Sequence, residues 1–375
     1  MMELGLYTLS DLITDHKTGV QMNAHDRIDE TIKAAVLADQ VGIDVFGVGE
    51  HHRLDFAVSS PAIVLAAIAQ ATKRIRLTSA VTVLSTADPV RVFQDFSTVD
   101  IISGGRAEII AGRGVFTEPF PLFGVDLRDY DQLFSEKLDL LRKLSRTERI
   151  TWRGNFRSAL QDAEISPRPI QRELPIWIGV GGTPQSAVRA GDLGLPMALA
   201  VLGGPITAIK PIVDLYREAG QRAGHSLSSL KISINSHAYL GEDAQQAREF
   251  HRAFYQQYLS EGTPRGKRPL KLSPAEFQSM TGPGTGLMIG SAQEMIDKIM
   301  QEYELLHHDR FLAQIDVGGL PFREVAKAIE RFGEQVAPVI RAETRNSTPR
   351  KTDETQPPTS IGKSYDEAAL AVTGA

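Results

Sequence analysis

Val45-Phe-Gly-Val-Gly49, then Pro61-Ala-Ile-Val-Leu-Ala-Ala-Ile-Ala69, then Arg76-Leu-Thr-Ser-Ala-Val-Thr-Val83: a short apolar run gives way to a helix-long one, and that to a β-branched one. Short runs of this kind read as strands buried on both faces, and strand, helix, strand in succession is the pattern of a parallel sheet. The alternation continues in both directions. Strands are expected at Glu3 to Tyr7, Val45 to Val48, Arg76 to Val83, Ala107 to Ala111, Pro175 to Val180, Pro196 to Ala200, Lys231 to Tyr239 and Phe311 to Val317. Helical stretches lie between them, and Pro321 to Gly333 closes the series. Eight such units fit an α/β fold, one (β/α)₈ TIM barrel over residues 1–342, in which the C-terminal strand ends form the functional face.

Several helix starts are well marked. A capping residue followed by proline suits a first turn, because proline has no amide hydrogen to lose there; Ser60-Pro61, Asp88-Pro89 and Thr183-Pro184 read this way. Ser273 with Glu276 and Ser291 with Glu294 match the capping box. Two stretches exceed an ordinary loop and read as insertions, at about 145–174 and 260–290, the second a lid candidate. Residues 343–375 turn polar (Asn346-Ser-Thr-Pro-Arg-Lys351) and are expected to be a disordered tail, since they bury too little apolar surface to offset the entropy of ordering.

With 41 basic and 46 acidic residues, the chain has no excess positive charge for nucleic acid and no polybasic segment for a membrane. The absence of cysteine excludes disulfides, thiolate nucleophiles, iron–sulfur clusters and cysteine-ligated zinc. No run of about 18 apolar residues occurs, and Met1 to Thr8 lacks the basic start of a secretion signal, so a cytoplasmic protein is expected. The Pro61 to Ala69 segment is apolar on every face, whereas a barrel helix exposed to water should keep a polar stripe. Either the chain's own insertions cover it or a second copy does; a homodimer is the expectation.

Three groups could carry chemistry. Glu50-His51-His52 ends the second strand, where a histidine can exchange protons near neutral pH or simply hold a loop. No zincin spacing or carboxylate cluster accompanies it, and no metal is expected. Arg113, just after the fourth strand, could pair with a phosphate through parallel hydrogen bonds or form a surface ion pair; Arg106, before that strand, reads as structural. Gly179-Val-Gly-Gly-Thr-Pro184 joins the fifth strand to a proline-started helix, and is either a tight turn or an anion site. It is no dinucleotide fingerprint: the sixth position is Pro184, and no acidic residue ends the next strand. Taken with Arg113, it reads as a phosphate clamp.

As an ordered set, Val48-Gly-Glu-His-His52, Arg74-Ile-Arg-Leu77, Asp88-Pro-Val-Arg91, Asp100-Ile-Ile-Ser-Gly-Gly-Arg106, Pro175-Ile-Trp-Ile-Gly179 and Leu193-Gly-Leu-Pro-Met197 resemble the bacterial luciferase-like flavin monooxygenases over about the first 200 residues. The resemblance implies a (β/α)₈ barrel that uses reduced flavin mononucleotide (FMN) and O₂ on a small organic substrate, in a site shielded from water, with a separate NAD(P)H:flavin reductase. It implies His51 as the active-site histidine, Arg113 as the phosphate-binding arginine, and Thr183 and Ser186, with Gly181 and Gly182, as the phosphate loop. It also implies a non-prolyl cis peptide at Ala80-Val81 beside the flavin ring. Gly112 stands where light-emitting members carry a reactive cysteine, and Gly182 where they carry an acid. Monooxygenation without luminescence is therefore expected, with space at Gly112 for substrate. The alternatives are a deazaflavin-dependent hydride-transfer enzyme and a non-catalytic flavin-binding partner subunit.

Overall fold

The computed structural model describes residues 1–14, 18–261 and 270–346. Eight parallel strands close on themselves: β1 (Glu3–Thr8), β2 (Val45–Val48), β3 (Arg76–Ser79), β4 (Ala107–Gly112), β5 (Ile176–Val180), β6 (Met197–Val201), β7 (Ile232–Leu240) and β8 (Arg310–Gln314). Each pairs with the next, and β8 returns to β1 in the register Glu3↔Arg310 to Leu6↔Ala313. The helices stand outside, so this is the expected (β/α)₈ barrel. The third strand is shorter than predicted: it stops at Ser79, and a separate two-residue strand, Thr82–Val83, resumes the pairing with β4.

The segment at 145–174 carries an antiparallel hairpin, Arg149–Trp152 with Leu160–Glu164. In the 260–290 segment the described part forms the Pro274–Met280 helix and a short strand, Met288–Gly290, which extends the sheet beside the end of β7. Residues 262–269 of the lid candidate lie outside the described residues, as does the tail beyond Asn346. The last helix, Ala337–Asn346, continues past residue 343.

Local chemistry sets the helix ends. Asp88 accepts from the amides of Val90 and Arg91, and Ser273 with Glu276 forms a complete capping box. Ser291 accepts from the Glu294 amide, while Ser60 and Thr183 make no side-chain capping bond. Arg106 is structural: its guanidinium donates to the carbonyls of Ala69, Thr72 and Ile75, tying the Pro61–Ala71 helix to the bottom of β3.

The barrel floor is ionic. Arg310, fully buried, donates to both oxygens of the equally buried Glu108 and, at 2.7 and 2.9 Å, to Glu3 Oε2. Its guanidinium lies 4.2 Å from the Trp177 ring centroid. Burial alone would lower its pKa, but the two carboxylates raise it. Four strands are thereby cross-linked below the mouth. No described helix is long and apolar enough to cross a membrane.

Candidate active site

Side chains alternate in and out along a strand, and the interior cluster of Tyr7, Val45, Ile110, Trp177, Ala198 and Leu312 fixes which are inward. Two residues nearer the mouth, the inward positions are Gly47 on β2, Gly112 on β4, Gly179 on β5 and Ala200 on β6. The other half differs. There the inward groups are Tyr7 on β1, Gln314 on β8 and, in register with Gln314, His237 on β7. One half of the mouth is stripped of side chains, and the other is lined by hydrogen-bonding ones.

The Ala80-Val81 peptide is cis. Val81 lies over the bare half: a Cβ added to Gly112 would sit 2.4 Å from Val81 Cγ2, and one added to Gly179 would sit 3.0 Å from Val81 Cγ1. The expected space at Gly112 is thus filled by Val81, a correction that follows from tertiary contact between β3 and β4. Ala80 approaches Gly47 in the same way, at 3.0 Å from the position of an added Cβ. Together they present a flat, apolar wall on the β3 side.

His51 stands at the end of β2, stacked on Phe56 at 4.1 Å between centroids and met edge-on by Phe116 at 5.2 Å. Its Nδ1 is buried with no hydrogen-bond partner. Burial first, then the charges of His52 and Arg53, push its pKa down to about 3. As placed, the ring is neutral at pH 7 and can donate or accept a hydrogen bond. His52 turns away, with Nε2 3.0 Å from Glu50 Oε1, while the other Glu50 oxygen accepts from the Val83 amide. Glu50 and His52 thus hold the loop.

At the other edge of the bare half, Arg113 Nη1 lies 2.6 Å from Asp131 Oδ1, and its guanidinium is 4.8 Å from the Tyr130 ring. Arg189 Nη2 reaches the same carboxylate oxygen at 3.4 Å. Two cations converge on one carboxylate that is 65% exposed. Beside them the nine-residue Pro184–Asp192 helix begins: Gly182 takes φ +93°, Thr183 is the N-cap with its hydroxyl unused in capping, and the space around Gly181 is open. Ser186 Oγ and Arg189 Nη1 are buried without partners. A buried donor left unmatched costs about 1–3 kcal/mol, and an oxyanion at this place would satisfy both. These residues fit a phosphate.

The fold thus gathers Arg113, Gly181, Gly182, Thr183 and Ser186 at one edge of the mouth, and Ala80, Val81 and His51 on its wall. Sequence reasoning missed Arg189, although a side chain three residues after Ser186 shares its helix face. It also missed Asp131, which no spacing signals, and His237 and Gln314. Among the described residues no group of three or more His, Asp or Glu side chains is arranged to hold a metal ion.

Comparison with known proteins agrees with this geometry. The family model described as luciferase-like monooxygenase matches residues 2–309. The oxygenase component of the flavin-dependent trigonelline monooxygenase of Acinetobacter baylyi is 23% identical over 360 residues, 90% of this chain and 96% of that one. Among solved structures, the oxygenating constituent of 3,6-diketocamphane monooxygenase from Pseudomonas putida, in complex with FMN, superposes with a TM-score of 0.74 at 19% identity, over 90% of this chain and 99% of that one. An F420-dependent secondary alcohol dehydrogenase follows at 0.68 and 21%, over 91% and 99%. With a family model that matches residues 2–309, the chain belongs to the luciferase-like monooxygenase family.

Proposed function

We propose that this chain is the oxygenase component of an FMN-dependent monooxygenase, taking reduced FMN from a separate NAD(P)H:flavin reductase and using it with O₂ on a small organic substrate. The observation that carries this reading is the convergence of Arg113 and Arg189 on one displaceable carboxylate, beside the unmatched Ser186 hydroxyl. The flavin-dependent relatives support it. Bound reduced flavin supplies the two electrons that activate dioxygen. The chain's own residues bind and shield: Arg113, Arg189, Thr183 and Ser186 take the phosphate, and Ala80-Val81 with Gly112 and Gly179 offers a flat apolar surface to the ring. His51 gives a neutral hydrogen bond, and Phe56 and Phe116 exclude water, which oxygen chemistry on a flavin requires.

Asp131 holds the place of the phosphate in the free protein. An exposed ion pair contributes only about 0–1 kcal/mol, so a dianion with better hydrogen bonds displaces it. Arg113→Ala should therefore weaken FMN binding by about 1.5–3 kcal/mol, the worth of a charged hydrogen bond. Asp131→Asn, by removing the competitor, should tighten it. Riboflavin, lacking the phosphate, should respond to neither. Fluorescence titration measures all three, and unchanged FMN affinity in Arg113→Ala would reject the clamp.

The likeness to an F420-dependent dehydrogenase favours a second reading, hydride transfer with a deazaflavin. Oxygen uptake by the chain with chemically reduced FMN separates the two. A purified chain that binds flavin and turns over with neither cofactor would be the non-catalytic partner subunit.

The working form we infer is a homodimer. The Pro61–Ala71 helix buries Val64, Leu65 and Ile68 on the barrel but leaves Ile63 73% exposed, and Ile101 and Ile102 on the adjoining Pro89–Ser103 helix are also exposed. Between these helices runs a groove lined by Ala66, Val99, Arg91 and Asp95. An apolar strip with charges of both signs suits a two-fold copy of itself. Light scattering at micromolar concentration should give twice the chain mass; a monomeric mass would overturn the interface.

A further inference from the structure

The polar half of the barrel mouth has no role in holding a phosphate, and it contains a fully buried, unmatched amide. Gln314 is wholly buried on the inner face of β8, yet neither its Nε2 nor its Oε1 has a hydrogen-bond partner. A primary amide is seldom left so, because both its donors and its acceptor lose water on burial. His237 stands directly beside it in register on β7. Its Nδ1 lies 3.3 Å from the Tyr255 hydroxyl, which itself lies 3.3 Å from the Leu202 carbonyl. A carbonyl only accepts, so the single hydroxyl proton goes to Leu202. Nδ1 must then carry the ring proton of His237, which leaves Nε2 an acceptor.

The surroundings set the rest of the chemistry. His237 meets the Tyr258 ring edge-on at 5.0 Å and the Tyr255 ring at 5.8 Å. Tyr7 on β1 stands one step beyond the Leu6↔Ala313 pair, level with Gln314, and burial, before the neighbouring Tyr258, Asp316 and Tyr255, holds its hydroxyl protonated. Burial likewise pushes the His237 pKa down to about 3, so this wall carries no charge at neutral pH. Asp316 and Asp11, the carboxylates that act on Tyr7 and Tyr258, pair with Arg27 at 2.5 and 3.3 Å. In a closed ring of eight strands, β7 lies diametrically opposite β3. A flat ring resting on Val81 would therefore turn its free face toward the β7 side, where His237 stands with Gln314 beside it.

We propose that Gln314 and His237 form the substrate-recognising wall, and that the substrate is an uncharged planar molecule whose edge carries a hydrogen-bond donor next to an acceptor, as in a lactam or aromatic carboxamide. Its N–H or O–H faces His237 Nε2, its carbonyl takes the Gln314 amide protons, and the tyrosine rings pack on its faces. Placing this ligand between the wall and the flavin rests on the flavin reading above, whereas the wall's hydrogen-bond selectivity does not.

The test uses 2-quinolone, with N-methyl-2-quinolone, which lacks the donor, and naphthalene, which lacks both groups. Calorimetric titration of the full chain should show 2-quinolone binding at least about tenfold more tightly than either analogue, because an unmatched buried group penalises the wrong ligand. Gln314→Leu and His237→Phe should reduce that ratio to about one; Gln314→Met, closer in volume, serves if the leucine variant fails to fold. A ratio near one in the unaltered chain, or a ratio kept in both variants because internal water serves the amide, would overturn the proposal. FMN titrated into the same samples without quinolone reads the phosphate clamp separately: loss of FMN binding with selectivity intact would sink the flavin reading alone.

Discussion

Arg310→Met should lower the free energy of unfolding by about 3–5 kcal/mol, the cost of leaving one partner of a buried pair uncompensated. The methionine fills a similar volume, so the loss comes from charge. Glu108, with no exposed surface, would retain only Arg76, whose Nη1 is 3.5 Å away on a side chain that is 43% exposed. Glu3 would keep Arg76 at 3.3 Å and the solvent. Adding Glu108→Gln should restore much of the stability, because a buried ion pair exchanged for neutral groups is often close to neutral in effect. Urea unfolding of the single and double variants measures both. A loss below 1 kcal/mol in the single variant would show that water or backbone shift relieves Glu108, and the floor would not be the ionic clamp described above.

The second large effect is on pH. His51, His237, His251 and His308 are each pushed by burial from an ordinary value of 6.5 down to about 3. A group whose folded pKa is depressed takes its proton first in the unfolded chain, so these four withdraw stability as pH falls through 6.5. Burial pushes Glu302 up to about 8 and raises Asp11, and those two act in the opposite sense: they are protonated in the fold before they are in the unfolded chain. Four histidines against two carboxyls leave about two protons, so stability should fall on the order of 2–3 kcal/mol per pH unit between about pH 6.5 and 5. His251→Phe, at a fully buried ring stacked on Tyr239 and without a partner for either nitrogen, should flatten that slope by about one proton. Thermal or urea unfolding that is constant from pH 7 to 5 would contradict the account. For the same reason an activity profile should show no group at 6.5 belonging to His51.

Much of this was legible beforehand. All eight barrel strands fall within a few residues of their expected limits, because short apolar or β-branched runs between helix-length segments mark them. The departures are instructive. Leu160–Glu164 reads Leu-Gln-Asp-Ala-Glu and is largely solvated, so its pairing with Arg149–Trp152 leaves no hydrophobic pattern. Met288–Gly290 has three residues and no period to detect. Gln314 could have been flagged, as an amide following the apolar run Phe311-Leu-Ala313. Arg189 could have been flagged by its spacing from Ser186.

The barrel, the order of its units and the placing of Arg113 and His51 at strand ends could be read from the residues alone. These follow from local periodicity and chain order, which act over a few residues at a time. Tertiary packing alone brings Val81 into the space at Gly112, Asp131 between Arg113 and Arg189, and His237 beside Gln314, and burial in that packing leaves His51 neutral. Each of those depends on distances between segments far apart in the chain, and on how much water their packing removes, which no local pattern encodes.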